Sequence, residues 1–207
     1  MKENIINTLS YNHIADQWDK IRRMRPVDPI IARFADLLPK GARILDVGCG
    51  TGYPISGYLS ENGFSVIGID PAEKMLEKAE NLRLENAEFH LCDLFSYETQ
   101  EKFGAVIAFD SVFHIPMDKQ AQIYPKIACL LTPGGLFLFT GGKKAGDVKG
   151  QMFDQEFHYG ALDAEDVRTR LHAEGFEILE FHEDYKDAVT GTRDLVVIAK
   201  KKGLMQA

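Results

Sequence analysis

The chain has 207 residues, of which 45% are hydrophobic and 27% are charged, and its formal net charge is −7. This length suffices for one α/β domain with a sizeable core, and the composition is that of an ordinary soluble globular protein. The acidic charge argues against nucleic-acid binding, which depends on clustered Lys and Arg side chains.

The cysteines and the apolar segments indicate the compartment. Cys49, Cys92 and Cys129 lie far apart and form no Cys-x-x-Cys pair, which suits reduced thiols and predicts no metal site. The N-terminal residues contain no apolar signal segment, and no run approaches the ~20 apolar residues of a membrane span. We therefore predict a soluble, cytoplasmic, single-domain protein without membrane contact. Its oligomeric state has no signal in the sequence.

Helices are predicted first, and an alternation of strands and helices follows. Apolar residues recur at helical spacing over 4–20, and a second helix is predicted over 30–38. Strands are then predicted at 43–47, 65–69, 87–91, 103–108 and 136–140. Helices are predicted between them at 54–62, 71–84 and 119–131. Such alternation with short links is typical of a parallel, doubly wound sheet with helices on both faces.

The last third of the chain differs from the rest. Residues 141–160 are rich in glycine, lysine and polar residues and show weak periodicity. A helix at 163–174 precedes two strands, 176–183 and 195–200, which we expect to pair as a hairpin across a Gly191-Thr192 turn. One domain is predicted, with an N-terminal helical cap, a ligand-binding core, and a terminal part containing a lid segment, a helix and the hairpin. These parts span 1–40, 41–141 and 142–207.

The most informative stretch is Ile-Leu-Asp-Val-Gly-Cys-Gly-Thr-Gly at 44–52, an apolar strand followed by a glycine-rich turn. Glycine has no Cβ and tolerates positive φ, so such a turn lets the backbone approach a ligand. Between a strand and a helix, it indicates a nucleotide-type site at the carboxyl edge of a sheet. The spacing Gly-x-Gly-x-Gly differs from the Gly-x-Gly-x-x-Gly of dinucleotide-binding enzymes.

Three aspartates end the first three strands of the predicted sheet. Asp70, 22 residues after Gly48, is placed to bind a ribose diol or to cap the following helix. Asp93 is placed to accept a hydrogen bond from the amine of a base, or is a turn residue. Asp46 is placed to accept from an ammonium group or to order the glycine turn. An adenosine and an ammonium group, without a pyrophosphate site, indicate S-adenosylmethionine.

The same residues resemble the motifs of class I S-adenosylmethionine-dependent methyltransferases. The resemblance extends from about Tyr11 to Lys200 and rests on four motifs in the family's order, at 44–52, 68–70, 92–94 and 131–135. It implies a Rossmann-like sheet of seven strands in the order 3-2-1-4-5-7-6, with strand 7 antiparallel. It also implies S-adenosylmethionine as the cofactor and methyl transfer as the reaction.

The resemblance assigns roles to particular residues. The glycines of the turn pass close to the methionine part of the cofactor, Asp70 holds the ribose, Asp93 and Leu94 contact the adenine, and Tyr11 covers the cofactor. The expected cofactor-binding residues are Tyr11, Asp46, Gly48, Cys49, Gly50, Gly52, Asp70, Pro71, Met75, Cys92, Asp93, Leu94, Phe109 and Asp110.

The sequence indicates the residues that would bind the methyl acceptor less clearly. His114, after the fourth strand, is the candidate general base because its unperturbed pKa lies near neutrality; it could instead order a loop. The segment 152–159 could line an apolar pocket or pack as a lid, and Arg193 could meet an anionic acceptor or lie in solvent. The candidate substrate residues are Phe113, His114, Phe157, His158, Tyr159 and Arg193.

The acidic charge and compact size favour a small-molecule acceptor. Two alternatives remain open from the sequence: a methyltransferase that acts on protein or nucleic acid, and a module that binds S-adenosylmethionine without catalysis. The absence of an Asn-Pro-Pro-Tyr motif after the fourth strand counts against a macromolecular acceptor.

Overall fold

The structure, a computed structural model, describes residues 2–203, with side chains described from residue 5 onward. The outermost residues of the predicted parts 1–40 and 142–207 therefore lie outside the described residues. None of the described helices combines the length and the apolar character that a membrane crossing requires.

Helices and strands alternate through the middle of the chain, as the sequence predicts. The helices are α1 (Lys2–Arg23), α2 (Pro29–Asp36), α3 (Ile55–Glu61), α4 (Glu73–Glu80), α5 (Met117–Gln120), α6 (Ile123–Leu130) and α7 (Ala164–Ala173), and a short 3₁₀ turn spans Val112–His114. The strands are β1 (Arg43–Val47), β2 (Ser65–Asp70), β3 (Ala87–Leu91), β4 (Phe103–Ala108), β5 (Leu131–Gly141), β6 (Gly146–Met152), β7 (Gln155–Ala161), β8 (Phe176–Asp187) and β9 (Gly191–Lys201).

Seven of these strands form one sheet in the order β3-β2-β1-β4-β5-β9-β8. Strands β1 to β5 pair in parallel, and β9 pairs antiparallel with both β5 and β8. Strands β6 and β7 form a separate two-stranded sheet. With that pair set aside, β8 and β9 are the sixth and seventh strands, so the predicted order 3-2-1-4-5-7-6 is confirmed.

Burial on both faces explains the apolar central strands. In β1, Leu45 and Val47 face one core cluster, whereas Ile44 faces the other. Because successive side chains of a strand point to opposite faces, a strand covered on both faces must be apolar throughout. The first core packs against α6 and α7 and the second against α2 and α3. The two layers hold the strand ends in fixed register.

The sequence analysis missed the β6–β7 hairpin. Its two-residue turn, Phe153-Asp154, has positive φ at both positions, 51° and 60°. This backbone is that of a type I′ turn, for which the usual sequence signal is Asn-Gly or Asp-Gly. The segment 152–155 contains no glycine, so the hairpin gave no recognisable signal.

Two predicted boundaries were wrong. The connection between β8 and β9 is 188–190, where the Asp187 carboxylate accepts the N–H groups of Val189 and Thr190, so the predicted Gly191-Thr192 turn belongs to β9. The helix predicted over 119–131 is two helices, α5 and α6. At the end of α5 the Gln120 amide donates to the Val112, Ile115 and Gly160 carbonyls, which holds that helix against the neighbouring loop.

Candidate functional site

A cavity of about 340 Å³ lies at the carboxyl edge of the main sheet. The ends of β1 and β2 contribute Asp46 and Asp70, and the loop after β4 contributes Phe109. Helix α1 covers the cavity with Tyr11 and Trp18. Ligands of open α/β sheets bind in crevices at this edge, so the cavity is the candidate functional site.

The glycine turn forms one wall of the cavity. Gly48, Gly50 and Gly52 all have left-handed backbones, with φ of 73°, 57° and 77°. The N–H groups of Gly48 and Cys49 donate to the Ile69 carbonyl at 2.8 and 3.1 Å, which ties the turn to β2. Since other residues reach this conformation at a steric cost, the glycines set the course of the turn.

The first two glycines also meet different surroundings. A Cβ on Gly48 would lie 2.4 Å from the Ser111 Cβ, so this position allows the turn to pack against the loop after β4. A Cβ on Gly50 would have Trp18 Nε1, at 3.9 Å, as its sole neighbour within 4 Å among the described residues. Gly50 thus leaves its backbone open to the cavity.

The third glycine serves packing. Gly52 does not line the cavity, unlike the other predicted cofactor-binding residues. A Cβ there would lie 2.9 Å from Leu82 Cδ1 and 3.3 Å from Ala79 Cβ. Gly52 therefore lets the turn approach α4 and the segment that follows it.

Asp70 is buried at the end of β2, with 8% of its surface exposed. Its Oδ1 accepts from the Ala72 N–H at 2.8 Å, and its Oδ2 accepts from the Gly50 N–H at 2.9 Å. The carboxylate thus orders both the glycine turn and the entry to α4. Burial raises the pKa of Asp70 to about 6, although the two N–H groups favour the charged form.

Asp46 is also buried, with 2% of its surface exposed. The Ser56 hydroxyl donates to its Oδ2 at 2.6 Å. Burial raises the pKa of Asp46 to about 7, and this hydrogen bond opposes the rise. The structure therefore places, beside the glycine turn, a carboxyl group that ionises near neutral pH.

Asp93 lies at the cavity edge after β3. Its Oδ1 accepts from the N–H groups of Phe95 and Ser96 at 2.7 and 3.0 Å, which closes a tight turn. Leu94, the next residue, is 3% exposed and lines the cavity. Asp93 thus closes a turn and also lines the cavity.

Helix α1 is fastened over the cavity by hydrogen bonds to the β6–β7 hairpin. The Asn7 amide donates to the His158 carbonyl at 2.9 Å and accepts from the His158 N–H at 2.8 Å. The Ser10 hydroxyl donates to the Glu156 carbonyl at 2.7 Å. These bonds join the roof of the cavity to the segment predicted as a lid.

His114 lies under this roof with both ring nitrogens engaged. The His114 Nε2 is 2.8 Å from the Tyr11 hydroxyl, and Nδ1 is 3.1 Å from the His158 carbonyl. The Asn7 amide nitrogen also lies 3.2 Å from Nδ1; the shorter contact is to the carbonyl, which can only accept, and this favours a proton on Nδ1 with Nε2 accepting from Tyr11. Burial lowers the pKa of His114 to about 4 and raises the pKa of the Tyr11 hydroxyl above its ordinary range, so both groups are neutral at pH 7.

Arg193 lies apart from the cavity lining, in a buried ion-pair network. Its guanidinium donates to both Asp110 oxygens at 2.8 and 2.9 Å and to Asp28 at 3.0 Å, and it lies over the Phe109 ring. Its side chain is 11% exposed. Asp110 has a left-handed φ of 55°, so Arg193 holds a strained loop in place.

The other candidate substrate residues form an aromatic cluster behind His114. Phe157 is fully buried and packs against the Tyr11 ring at 4.9 Å between centroids. Tyr159 lies 5.7 Å from the Phe113 ring and 5.1 Å from the His114 ring. Of the substrate candidates, His114 lines the cavity, whereas Phe113, Phe157, His158, Tyr159 and Arg193 are not among its lining residues.

The structure adds cavity residues that the sequence analysis did not select. Trp18 and Arg22 of α1 reach the end of the cavity next to the glycine turn, and Ser111 donates to the Val47 carbonyl at 2.6 Å. Thr51 has a buried hydroxyl without a hydrogen-bond partner among the described residues. The regular spacing of Trp18 and Arg22 on α1 indicates a helix face, but not that this face covers a ligand site.

Residues 44–135, somewhat under half of the chain, match the family model described as a methyltransferase domain. This match agrees with the resemblance of the four motifs to the class I S-adenosylmethionine-dependent methyltransferases. The matched residues contain all four motifs that the sequence analysis identified.

Named relatives match part of the chain. The chain is 34% identical over 117 residues to trans-aconitate 2-methyltransferase of Variovorax paradoxus, covering 55% of this chain and 43% of that protein. It is 28% identical over 135 residues to the ubiquinone biosynthesis O-methyltransferase of Coxiella burnetii, covering 60% and 56%. The chain thus spans about half the length of the curated relatives that it matches.

A solved structure matches nearly the whole chain. The Burkholderia thailandensis 1,6-didemethyltoxoflavin-N1-methyltransferase, solved with its substrate and S-adenosylhomocysteine, aligns with a TM-score of 0.75 at 18% identity. The alignment covers 96% of this chain and 88% of that one. At this identity the likeness shows that the two chains share a fold.

Proposed function

We propose that this protein transfers the methyl group of S-adenosylmethionine to a small-molecule acceptor. The observation that carries the proposal is the convergence of three family motifs on one cavity. Gly50, Asp70 and Asp93, which come from the ends of three neighbouring strands, all line it. Local sequence patterns that are separated along the chain thus form a single site.

The cavity residues fit the cofactor. Asp70 would hold the ribose hydroxyls with the lone pairs that its two N–H bonds leave available. Asp93 and Leu94 would contact the adenine, and the glycine turn with Asp46 would hold the methionine part. The unpaired Thr51 hydroxyl and the open Gly50 backbone are suited to a polar ligand. When bound, the cofactor supplies a methyl group activated by a sulfonium.

The protein would contribute alignment and exclusion of water. The bonds from Asn7 and Ser10 to the β6–β7 hairpin hold α1, which carries Tyr11, in place above His114. Methyl transfer is an in-line displacement, so its rate depends on holding the acceptor atom in the correct direction. A closed, partly apolar chamber suits this task.

The relatives support a small acceptor. The names of the relatives all refer to small molecules. They are trans-aconitate, ubiquinone and 1,6-didemethyltoxoflavin. The net charge of −7 also disfavours a nucleic-acid acceptor. We therefore place the acceptor between the cofactor and the His114 side of the cavity.

Two measurements test the proposal. Isothermal titration calorimetry with S-adenosylhomocysteine is expected to show saturable binding; no heat of binding at millimolar ligand would contradict the assigned cofactor. Incubation of cell extract with methyl-tritiated S-adenosylmethionine is expected to label the metabolite fraction. Label in the protein or nucleic-acid fraction alone would instead support a macromolecular acceptor, and binding without any transfer would support a non-catalytic module.

His114 provides a test of general-base catalysis. If the acceptor loses a proton, the neutral His114 ring is expected to take it, and His114→Gln is expected to lower kcat by about 100-fold. The affinity for S-adenosylhomocysteine should change little. The exposed His13 on α1 gives a matched control, and His13→Gln should keep the wild-type rate. A wild-type rate in His114→Gln would remove His114 from the reaction.

A further inference from the structure

One end of the cavity is formed by the start of α1 and by the 3₁₀ turn after β4. The Tyr11 hydroxyl lies 2.8 Å from His114 Nε2, which joins the two segments. Ile5 and Leu9 on α1, and Ile115 directly after the 3₁₀ turn, also line the cavity. We call the part of the cavity that these five residues line the acceptor end.

Apolar side chains are open to solvent at the acceptor end. Ile5 and Leu9 keep 57% and 54% of their surfaces exposed, and they lie about one helical turn apart on α1. Single exposed apolar residues are common on protein surfaces, but these two border a cavity. An apolar ligand that covered them would remove this surface from water, which favours binding.

The described residues of the acceptor end carry no charge at pH 7. The charged side chains that line the cavity are Asp46, Asp70, Asp93, Asp110 and Arg22. The first three lie at or just after the ends of β1, β2 and β3, and Arg193 binds both Asp110 oxygens. Arg22 follows Tyr11 by 11 residues, which is roughly 16 Å along α1. A charged acceptor would therefore lose hydration at this end without gaining a partner of opposite charge.

The acceptor end does offer an uncharged hydrogen-bond acceptor. The Tyr11 hydroxyl donates its single hydrogen to His114 Nε2, so its oxygen keeps lone pairs for a ligand. Burial keeps both groups neutral, because it raises the pKa of Tyr11 and lowers the pKa of His114 to about 4. A hydroxyl or an N–H group can donate to the Tyr11 oxygen, whereas a carboxylate has no hydrogen to donate.

We propose that the methyl acceptor is an uncharged small molecule with an apolar body and a hydroxyl or N–H group. The apolar body contacts Ile5, Leu9 and Ile115, and the hydroxyl or N–H group donates to Tyr11. This inference rests on the proposed function and names the class of its substrate. It separates this chain from one relative, because trans-aconitate, which that relative's name contains, is a carboxylate anion.

The experiment compares two probes of similar shape and different charge. 2-Naphthamide is uncharged and has an N–H donor, whereas 2-naphthoate carries a carboxylate at the same position. With the protein saturated with S-adenosylhomocysteine, calorimetry is expected to show that 2-naphthamide binds about 10-fold more tightly or better, the cost of one unpaired charge. Equal affinities, tighter binding of 2-naphthoate, or binding of neither probe would overturn the inference.

A pair of leucine variants tests the apolar contact. Leu9→Ser is expected to weaken 2-naphthamide binding by about 3- to 10-fold, because roughly half of a leucine surface would be lost from the contact. The affinity for S-adenosylhomocysteine should not change. Leu37, at the end of α2, is 50% exposed and does not line the cavity, so Leu37→Ser should change neither affinity. Wild-type binding of 2-naphthamide by Leu9→Ser would exclude the assigned contact.

The natural acceptor provides an independent test. Label transferred from methyl-tritiated S-adenosylmethionine in cell extract is expected in a product that is uncharged at pH 7 and keeps its methyl group in mild alkali. Release of labelled methanol by alkali would identify a methyl ester, and therefore a carboxylate acceptor, and would overturn the inference. Retention of the product by an anion exchanger would do the same. Failure of the wild-type protein to bind S-adenosylhomocysteine, or binding without transfer to any fraction, would instead contradict the proposed function itself.

Discussion

Asp70→Asn is expected to weaken S-adenosylhomocysteine binding by about 100-fold or more. Asp70 is placed to accept from the ribose hydroxyls while it already accepts from the Gly50 and Ala72 N–H groups. An asparagine has one acceptor oxygen, so its NH₂ group must face one of these N–H groups or the ribose. Loss of two charge-assisted hydrogen bonds at roughly 1.5–3 kcal/mol each gives this magnitude.

Calorimetry measures this affinity, and a second aspartate provides the control. Asp187 also accepts from two backbone N–H groups, in the turn between β8 and β9. It does not line the cavity, so Asp187→Asn should lose a similar local turn contact and keep the wild-type affinity. Thermal unfolding without ligand checks that both variants fold. If folded Asp70→Asn bound S-adenosylhomocysteine as the wild type does, Asp70 would have no part in ribose binding.

Asp46→Asn is expected to stabilise the ligand-free protein at pH 8. The pKa of Asp46 is about 7 in the folded protein, raised from 3.8 by burial. The folded state therefore holds a proton that the unfolded chain loses near pH 4. The stability that the neutral group confers is fully present below pH 4, falls between pH 4 and 7, and is lost above pH 7. Asparagine stays neutral, so its advantage should grow over the same interval.

The size of this effect follows from the pKa shift. An advantage on the order of 1–4 kcal/mol at pH 8 corresponds to a rise of several degrees in melting temperature. At pH 4 the two proteins should melt at similar temperatures if the asparagine oxygen keeps the Ser56 bond. If the wild type and Asp46→Asn melted at the same temperature at both pH 4 and pH 8, the raised pKa of Asp46 would be contradicted.

The same variant separates the two roles predicted for Asp46. The ligand 5′-methylthioadenosine contains the adenosine and the thioether of the cofactor but no amino acid. If Asp46 accepts from the ammonium group of the cofactor, Asp46→Asn should weaken S-adenosylhomocysteine binding and leave 5′-methylthioadenosine binding nearly unchanged. If Asp46 only orders the glycine turn through Ser56, both ligands should respond alike. If Asp46→Asn raised the melting temperature and lowered the ligand affinity, the Asp46 carboxylate would be shown to favour ligand binding while it destabilises the folded protein.

The fold was predictable because its signals are local. Alternating strands and helices predict a parallel sheet, and the family resemblance that the motifs carry implies the strand order that the structure shows. The cavity floor was predictable for a related reason, since Asp46, Asp70 and Asp93 each lie at or just after the carboxyl end of a strand. The ends of parallel strands meet at one edge, so residues in such positions converge without further information.

The roof and the ion pairs were not predictable from local patterns. Trp18 and Arg22 reach the cavity because α1 docks across the sheet edge, and this docking depends on contacts with α4 and β7. Arg193 meets Asp110 across 83 residues of chain, although its position beside a predicted turn indicated a solvated residue. Tertiary packing decides such contacts, whereas periodicity reports only the elements themselves.

The β6–β7 hairpin has a practical consequence for redesign. Its strands pair with each other and not with the main sheet, so the chain can vary there without altering the register of the cofactor edge. Its attachments to α1 include the Asn7 and Ser10 hydrogen bonds and the buried Phe157. A hairpin exchanged between related proteins, with these anchors kept, should therefore leave the cavity edge of the main sheet and the position of α1 unchanged.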